Sequence, residues 1–102
     1  MQKFAKEIII DFDNHLSKSY KKSYSDFYIG ITNNIDRRLF SEHNVPRHWH
    51  WYIYREAINE ENARLVENHY LKKWMQWGGW WGNGDWSATY VYCYEISSDT
   101  IE

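Results

Sequence analysis

Apolar residues recur every four positions at the start of the chain. Phe4, Ile8, Phe12, Leu16 and Tyr20 form one stripe, with Lys and Glu on the opposite side. That period predicts a helix of about four turns with one buried face. Residues 18–26 are polar, rich in Ser, Tyr and Lys, and without period, so they read as a loop. Phe27-Tyr28-Ile29-Gly30-Ile31-Thr32 is aromatic and β-branched, the composition of a strand. Asn33 and Asn34 are capping residues, Asp36 suits a first helical turn, and Ile35 and Leu39 lie four apart. A short helix to about His43 follows. The only proline, Pro46, marks a break before an aromatic strand over residues 48–55. Asn59 opens a second capped segment, with Glu60 and Glu61 in its first turn. Ala63, Val66, Tyr70, Trp74 and Trp77 then fall on one face, predicting a long helix to about Gln76. Four glycines within residues 78–84 cannot continue it, since each costs about 1 kcal/mol against alanine in a helix. They predict a glycine-rich loop carrying Trp80, Trp81 and Trp86. Tyr90, Tyr92 and Tyr94 alternate with Val91, Cys93 and Glu95 in a last strand over residues 89–96, and the polar residues after Ser97 read as a frayed tail.

The resulting order, α-β-α-β-α-β, predicts an α+β domain with a small three-stranded sheet flanked by helices, spanning residues 1–102. Alternation puts Phe27, Ile29 and Ile31 on a greasy sheet face, and Tyr28, Gly30, Thr32 and the last strand's tyrosines on a phenolic one. Composition sharpens this picture in one respect. Aromatic residues are 20% of the chain, more ring surface than the core of a 102-residue domain hides, so some rings are exposed or line a site. The formal net charge of −2 provides no global field for a polyanion, and a nucleic-acid partner needs a local basic patch. No apolar run approaches the roughly 18 residues of a membrane span. The single cysteine, Cys93, excludes an internal disulfide and reads as a buried structural thiol; with no apolar leader at the N-terminus, the expected location is cytoplasmic.

Residues 26–39, containing Tyr28-Ile29-Gly30 and Arg38 directly before Leu39, resemble the second half of the GIY-YIG nuclease motif. On the next helix Ala63-Arg64-Leu65-Val66-Glu67-Asn68 is similar to the family's segment with a single metal-binding glutamate. The resemblance covers roughly residues 27–74. It implies a divalent-metal-dependent endonuclease acting on DNA. Tyr28 would position or act as the base, Arg38 would clamp the phosphate, and Glu67 would hold one Mg²⁺ or Mn²⁺ ion. Gly30, Arg37, Tyr90, Tyr92, Trp81 and Asn83 complete the expected substrate-binding set.

Two departures from the family carry further expectations. The Gly-aliphatic-Tyr strand that normally precedes Tyr-Ile-Gly is missing. A circular permutation, with the last strand in the vacant place, would set Tyr90, Tyr92 or Tyr94 beside Tyr28. Family members also carry a His or Tyr four residues after the arginine; here that position is Glu42. His43, one later, is rotated by about 100° on an ideal helix unless the helix bulges. It is the candidate second base.

Blander readings exist for each residue. Tyr28 can be a sheet tyrosine, Gly30 a close-packing position, Arg38 part of a solvated face, and Glu67 an edge residue paired with Arg38. His48 and His50 share a strand face and could form a zinc site with His43 or His69, though two such imidazoles more often stack or face solvent. The rival to a nuclease is a non-catalytic protein that holds a nucleotide or oligonucleotide by the Arg clamp and an aromatic cage of Tyr28, Trp49, Trp51 and the Trp loop. A third option is a protein-interaction module with aromatic anchors.

Overall fold

Each apolar stripe of the sequence finds a partner in the others. The computed structural model describes residues 2–19, 23–48, 51–78 and 88–102. In chain order its elements are β1 (Gln2–Lys3), α1 (Ala5–Leu16), β2 (Phe27–Thr32), a π-helix (Asp36–Glu42), β3 (Tyr52–Ala57), α2 (Glu60–Leu71) and β4 (Tyr90–Glu95). Among the described residues the sheet has four strands rather than three, in the order β1-β3-β4-β2. β4 runs antiparallel to both neighbours, with Tyr94 opposite Tyr28 and Tyr52, and Tyr92 opposite Gly30 and Tyr54. The added strand, β1, pairs parallel to the end of β3, Gln2 against Glu56. Two residues have no period to read, which is why the sequence conceals it.

Alternation sorts the two faces as the sequence predicts. Phe27, Ile29, Ile31, Ile53, Val91 and Cys93 join Ile8 and Phe12 of α1 and Ala63, Val66 and Tyr70 of α2 in one apolar core. The helices are also bonded to each other: Tyr70 stacks on Phe12 at 5.9 Å, and its hydroxyl donates to Asp13 Oδ1 at 2.7 Å. Burial and the Asp13 carboxylate push the Tyr70 phenol well above its ordinary pKa. Cys93 is buried against Met75, with sulfurs 3.9 Å apart, and burial raises its thiol so that it stays protonated, as a structural cysteine should.

Helix ends differ from the periodic expectation for local reasons. α1 starts at Ala5 because Phe4 is its extended cap residue, whose N–H donates to Glu7 Oε1 at 2.9 Å; Phe4 is 58% exposed and not core. Tyr20, at the far end of the same stripe, lies outside the described residues. α2 stops at Leu71, five residues short of expectation. Trp74 takes a left-handed φ of 75°, and the Met75 amide turns back to the Tyr70 carbonyl at 3.3 Å. The chain thereby reverses, and Gln76 bonds the outer edge of β2 through Phe27 O and the Ile29 amide, both at 2.9 Å. Trp74 is consequently 82% exposed, and Trp77 is also exposed, so neither is core. The aromatic strand begins at Tyr52 rather than His48. The glycine-rich loop lies mostly outside the described residues.

The tail is held rather than frayed. The Ser97 and Asp99 amides close a turn with Thr100 and Ser97 hydroxyls, Asn44 Nδ2 donates to the Asp99 carbonyl at 2.9 Å, and the Ile101 amide donates to His43 O at 2.8 Å. No helix among the described residues is long and apolar enough to cross a membrane.

Asn59 caps α2 through its side-chain oxygen, which accepts from the Asn62 amide at 2.9 Å. Asn62 Oδ1 in turn accepts from the Ala5 amide at 2.9 Å, so one cap aligns the starts of both helices. Asn59→Ala is expected to lower unfolding free energy by about 1 kcal/mol, read from the urea midpoint at unchanged m-value.

Candidate functional site

The phenolic face is covered by the π-helix rather than by water. Leu39, Ile35 and Val45 pack onto Tyr28, Tyr92 and Tyr94 to make a second, smaller core. The rings of Tyr28 and Tyr94 stack at 5.2 Å, and those of Tyr28 and Tyr92 at 6.3 Å. The last strand therefore stands beside Tyr28.

At Gly30 two chain segments approach more closely than any side chain permits. A Cβ there would sit 2.4 Å from the Tyr92 hydroxyl oxygen and 2.5 Å from its ring. The absent side chain lets the Tyr92 ring lie across β2 and deliver its hydroxyl to the π-helix. There it accepts from Arg38 Nε at 3.1 Å and meets His43 Nε2 at 2.9 Å. Gly30 is thus a packing position beneath the cluster.

His43 reaches that hydroxyl because its helix is wound wide. Its amide bonds Arg38 O at 3.0 Å, five residues back, as a π-helix requires. The extra residue per turn restores the facing that an α-helix would lose, and Arg38 and His43 point to one phenol. The tautomer follows from the partners. His43 Nδ1 lies 2.6 Å from the Ile101 carbonyl, which can only accept, so Nδ1 carries the proton. Nε2 is then the acceptor, and the Tyr92 hydroxyl donates to it while accepting from Arg38. Tyr94 Oη closes the ring at 2.9 Å from Nδ1.

The charges agree with this pattern. Burial pushes the His43 pKa down, the Ile101 carbonyl opposes that, and the Arg38 charge reinforces it, so the imidazole is held neutral. Burial raises the Tyr28 hydroxyl, against the charge and hydrogen bond of Arg38. Tyr92 and Tyr94 are raised chiefly by burial too. Burial works against the Arg38 charge, but Tyr92 and Glu42 hold it firmly protonated. Glu42 Oε1 accepts from Arg38 Nη1 at 3.0 Å, and its other oxygen is 3.4 Å from Arg37 Nε. One carboxylate therefore serves both guanidiniums at the rim. The Arg37 side chain is 58% exposed and the Arg38 side chain 22%.

Glu67 is buried on α2, and its pKa is pushed up to about 7 by burial, with Arg64 lowering it from 3.9 Å away. Its partner in the structure includes Arg64 rather than Arg38. Its charge contributes to raising Tyr28 and Tyr92, although the Val66 and Tyr70 beside it on α2 belong to the apolar core on the other face of the sheet. No group of three or more His, Cys, Asp or Glu suited to a metal occurs among the described residues, so Glu67 is a lone carboxylate in this respect.

Of the residues singled out in the sequence, Tyr28, Arg38, His43 and Tyr92 converge, with Gly30 beneath them, while Glu67 stands on α2, whose Val66 and Tyr70 belong to the apolar core. Arg37 is at the rim. Tyr90 lies further along β4, beside Tyr54 at 6.5 Å. Trp81 and Asn83, and the Trp49 and His50 of the cage and zinc readings, lie outside the described residues. The sequence did not single out the rim carboxylate of Glu42 or the Ile101 carbonyl. Glu42 was legible as an i, i+4 partner of Arg38, whereas a main-chain carbonyl leaves no signal in a sequence. No family model, curated protein or solved structure matches this chain.

Gly30→Ala is expected to cost about 1–3 kcal/mol of stability, because the Tyr92 ring and β2 must separate; equilibrium denaturation reads it. Glu67 gives a pH signature. Its folded pKa lies above the ordinary 4.5, so the native state holds more protons than the unfolded chain between pH 4.5 and 7, and stability falls as pH rises through that window. Glu67→Gln should therefore gain on wild type by roughly 3 kcal/mol between pH 4 and pH 8. Melting temperatures of the two proteins across that range measure the difference.

Proposed function

We propose that this protein binds the phosphate of a nucleotide or short oligonucleotide at the rim formed by Arg37 and Arg38, without requiring catalysis. The observation that carries the reading is the support of Arg38. Its Nε is fixed by the Tyr92 hydroxyl and its Nη1 by Glu42, which holds the guanidinium plane at the rim beside exposed Arg37. A preset planar donor loses little freedom when it takes a phosphate oxygen pair. Glu42, which now bridges both arginines, occupies the place an incoming phosphate would take. The net charge of −2 and two arginines make weak, salt-sensitive binding the expectation.

A second reading, GIY-YIG-like metal-dependent hydrolysis of DNA, is favoured by one specific arrangement: a neutral His43 accepting from Tyr92, with Tyr28 and Arg38 beside it. In that reading Tyr28 or Tyr92 would orient a water, His43 would take a proton at Nε2, and Arg38 would bear the phosphate charge. A cation at Glu67 would supply charge stabilisation at the leaving oxygen.

Fluorescence anisotropy with a labelled eight-nucleotide oligothymidylate tests the first reading. Arg38→Ala should weaken binding about tenfold or more, and Glu42→Gln should tighten it several-fold by removing the carboxylate charge that competes with a phosphate at the rim. Affinity indifferent to both substitutions would refute it. Incubation of supercoiled DNA with Mg²⁺ or Mn²⁺ decides the second: nicking by wild type that Glu67→Gln abolishes would establish hydrolysis.

A further inference from the structure

Apart from the arginine rim, the edge of β3 is only partly covered among the described residues. β1 covers only Glu56 and Ala57 of β3. Residues 52–55 have no strand on that side among the described residues. Which backbone groups face the opening follows from two bonds: the Ala57 amide donates to Thr89 O on the β4 side at 2.7 Å, and the Ile58 amide donates to Lys3 O on the β1 side at 2.9 Å. Alternation then turns the N–H and C=O of Tyr52 and Tyr54 outward. Consistent with this, the Tyr54 carbonyl accepts from Arg55 Nη1 at 2.8 Å, a side chain standing where a strand would donate.

A cavity of about 580 Å³ runs along this edge, lined by the five consecutive residues 52–56 of β3 together with His15 and Tyr90. A void walled by every residue of a strand, rather than every second one, wraps the strand's edge, and the Tyr90 wall shows that it also reaches over the phenolic face towards β4. A second cavity of about 300 Å³ shares Tyr54 and Tyr90 with it and extends over the phenolic face towards Asn33 and Asn34. Tyr52 and Tyr54 stack at 6.2 Å, and Tyr54 is exposed. On the opposite face Arg55 and Lys3 share the single carboxylate of Asp11, at 3.0 and 3.1 Å, two cations to one anion on that face, with Glu56 turned to the phenolic side.

We infer that the edge of β3 is a docking site for an extended peptide of a partner protein, added to the sheet in line with β1, with apolar residues towards Tyr54 and an acidic residue beside Arg55. The outward backbone groups of Tyr52 and Tyr54, beside an edge already occupied at one end by β1, suit a single extended chain. The peptide's N–H replaces Arg55 at the Tyr54 carbonyl, and the released guanidinium takes the peptide's carboxylate. This site is independent of the phosphate reading and stands or falls separately.

The test is amide hydrogen exchange of the whole chain, by NMR, with an acetylated and amidated heptapeptide alternating valine and glutamate. The expected result is at least tenfold slower exchange at the Tyr52 and Tyr54 amides, lost when alternate peptide nitrogens are methylated. Weaker protection is expected when lysine replaces glutamate, and Arg55→Gln should erase that preference. No protection at millimolar peptide, or protection indifferent to N-methylation, overturns the inference. So does protection that appears with protein concentration alone, which would assign the edge to a second copy.

Discussion

The Tyr92 ring lies on the backbone of Gly30, and the rest of the polar cluster depends on that contact. Only a residue without a Cβ lets the phenol cross β2, and only a phenol that crosses β2 reaches Arg38 and His43 together. The hydroxyl then ties the sheet to the π-helix, and through His43 to the tail at Ile101. Segments distant in sequence are joined by one oxygen with an accepting and a donating bond. Such a network is favourable because every buried polar member within it has a partner, and it would be costly with any one missing.

That economy bears on what the site can do. A hydroxyl bonded on both sides, an imidazole with both nitrogens engaged and a guanidinium shared with Glu42 form a closed circuit. Chemistry on a substrate would require part of it to open, and the rim is where opening costs least, since the Glu42 and Arg37 side chains are exposed. The inner residues are better described as holding Arg38 still. The neutral state of His43 follows from burial and a nearby cation, conditions that serve either a rigid support or a base.

Much of this was legible in the sequence. The period-two tyrosines of β4 and the Tyr-Ile-Gly strand fixed a phenolic face, and the glycine was visible as a place of close approach. Arg38 was picked out by the resemblance of residues 26–39 to a family motif rather than by any pattern, and Glu67 also by its carboxylate on an apolar stripe. The early end of α2 was not legible, because Trp74 continues the helical period while its backbone takes the left-handed turn. Residues with one face to offer can satisfy a pattern without being buried by it. The tail was missed for the opposite reason: its anchors are main-chain groups of Asp99 and Ile101, and any sequence carries those.

The π-helix places information in chain length rather than in side-chain identity. From the Arg38 carbonyl to the His43 amide the chain takes five residues to do what an α-helix does in four. Loss of one residue from the intervening stretch would let the segment relax to the ordinary pitch with hardly any change in composition. The register of everything beyond it would then shift against the sheet. Spacing is therefore the trait that descent would have to preserve here, and it tolerates substitution far better than it tolerates a deletion.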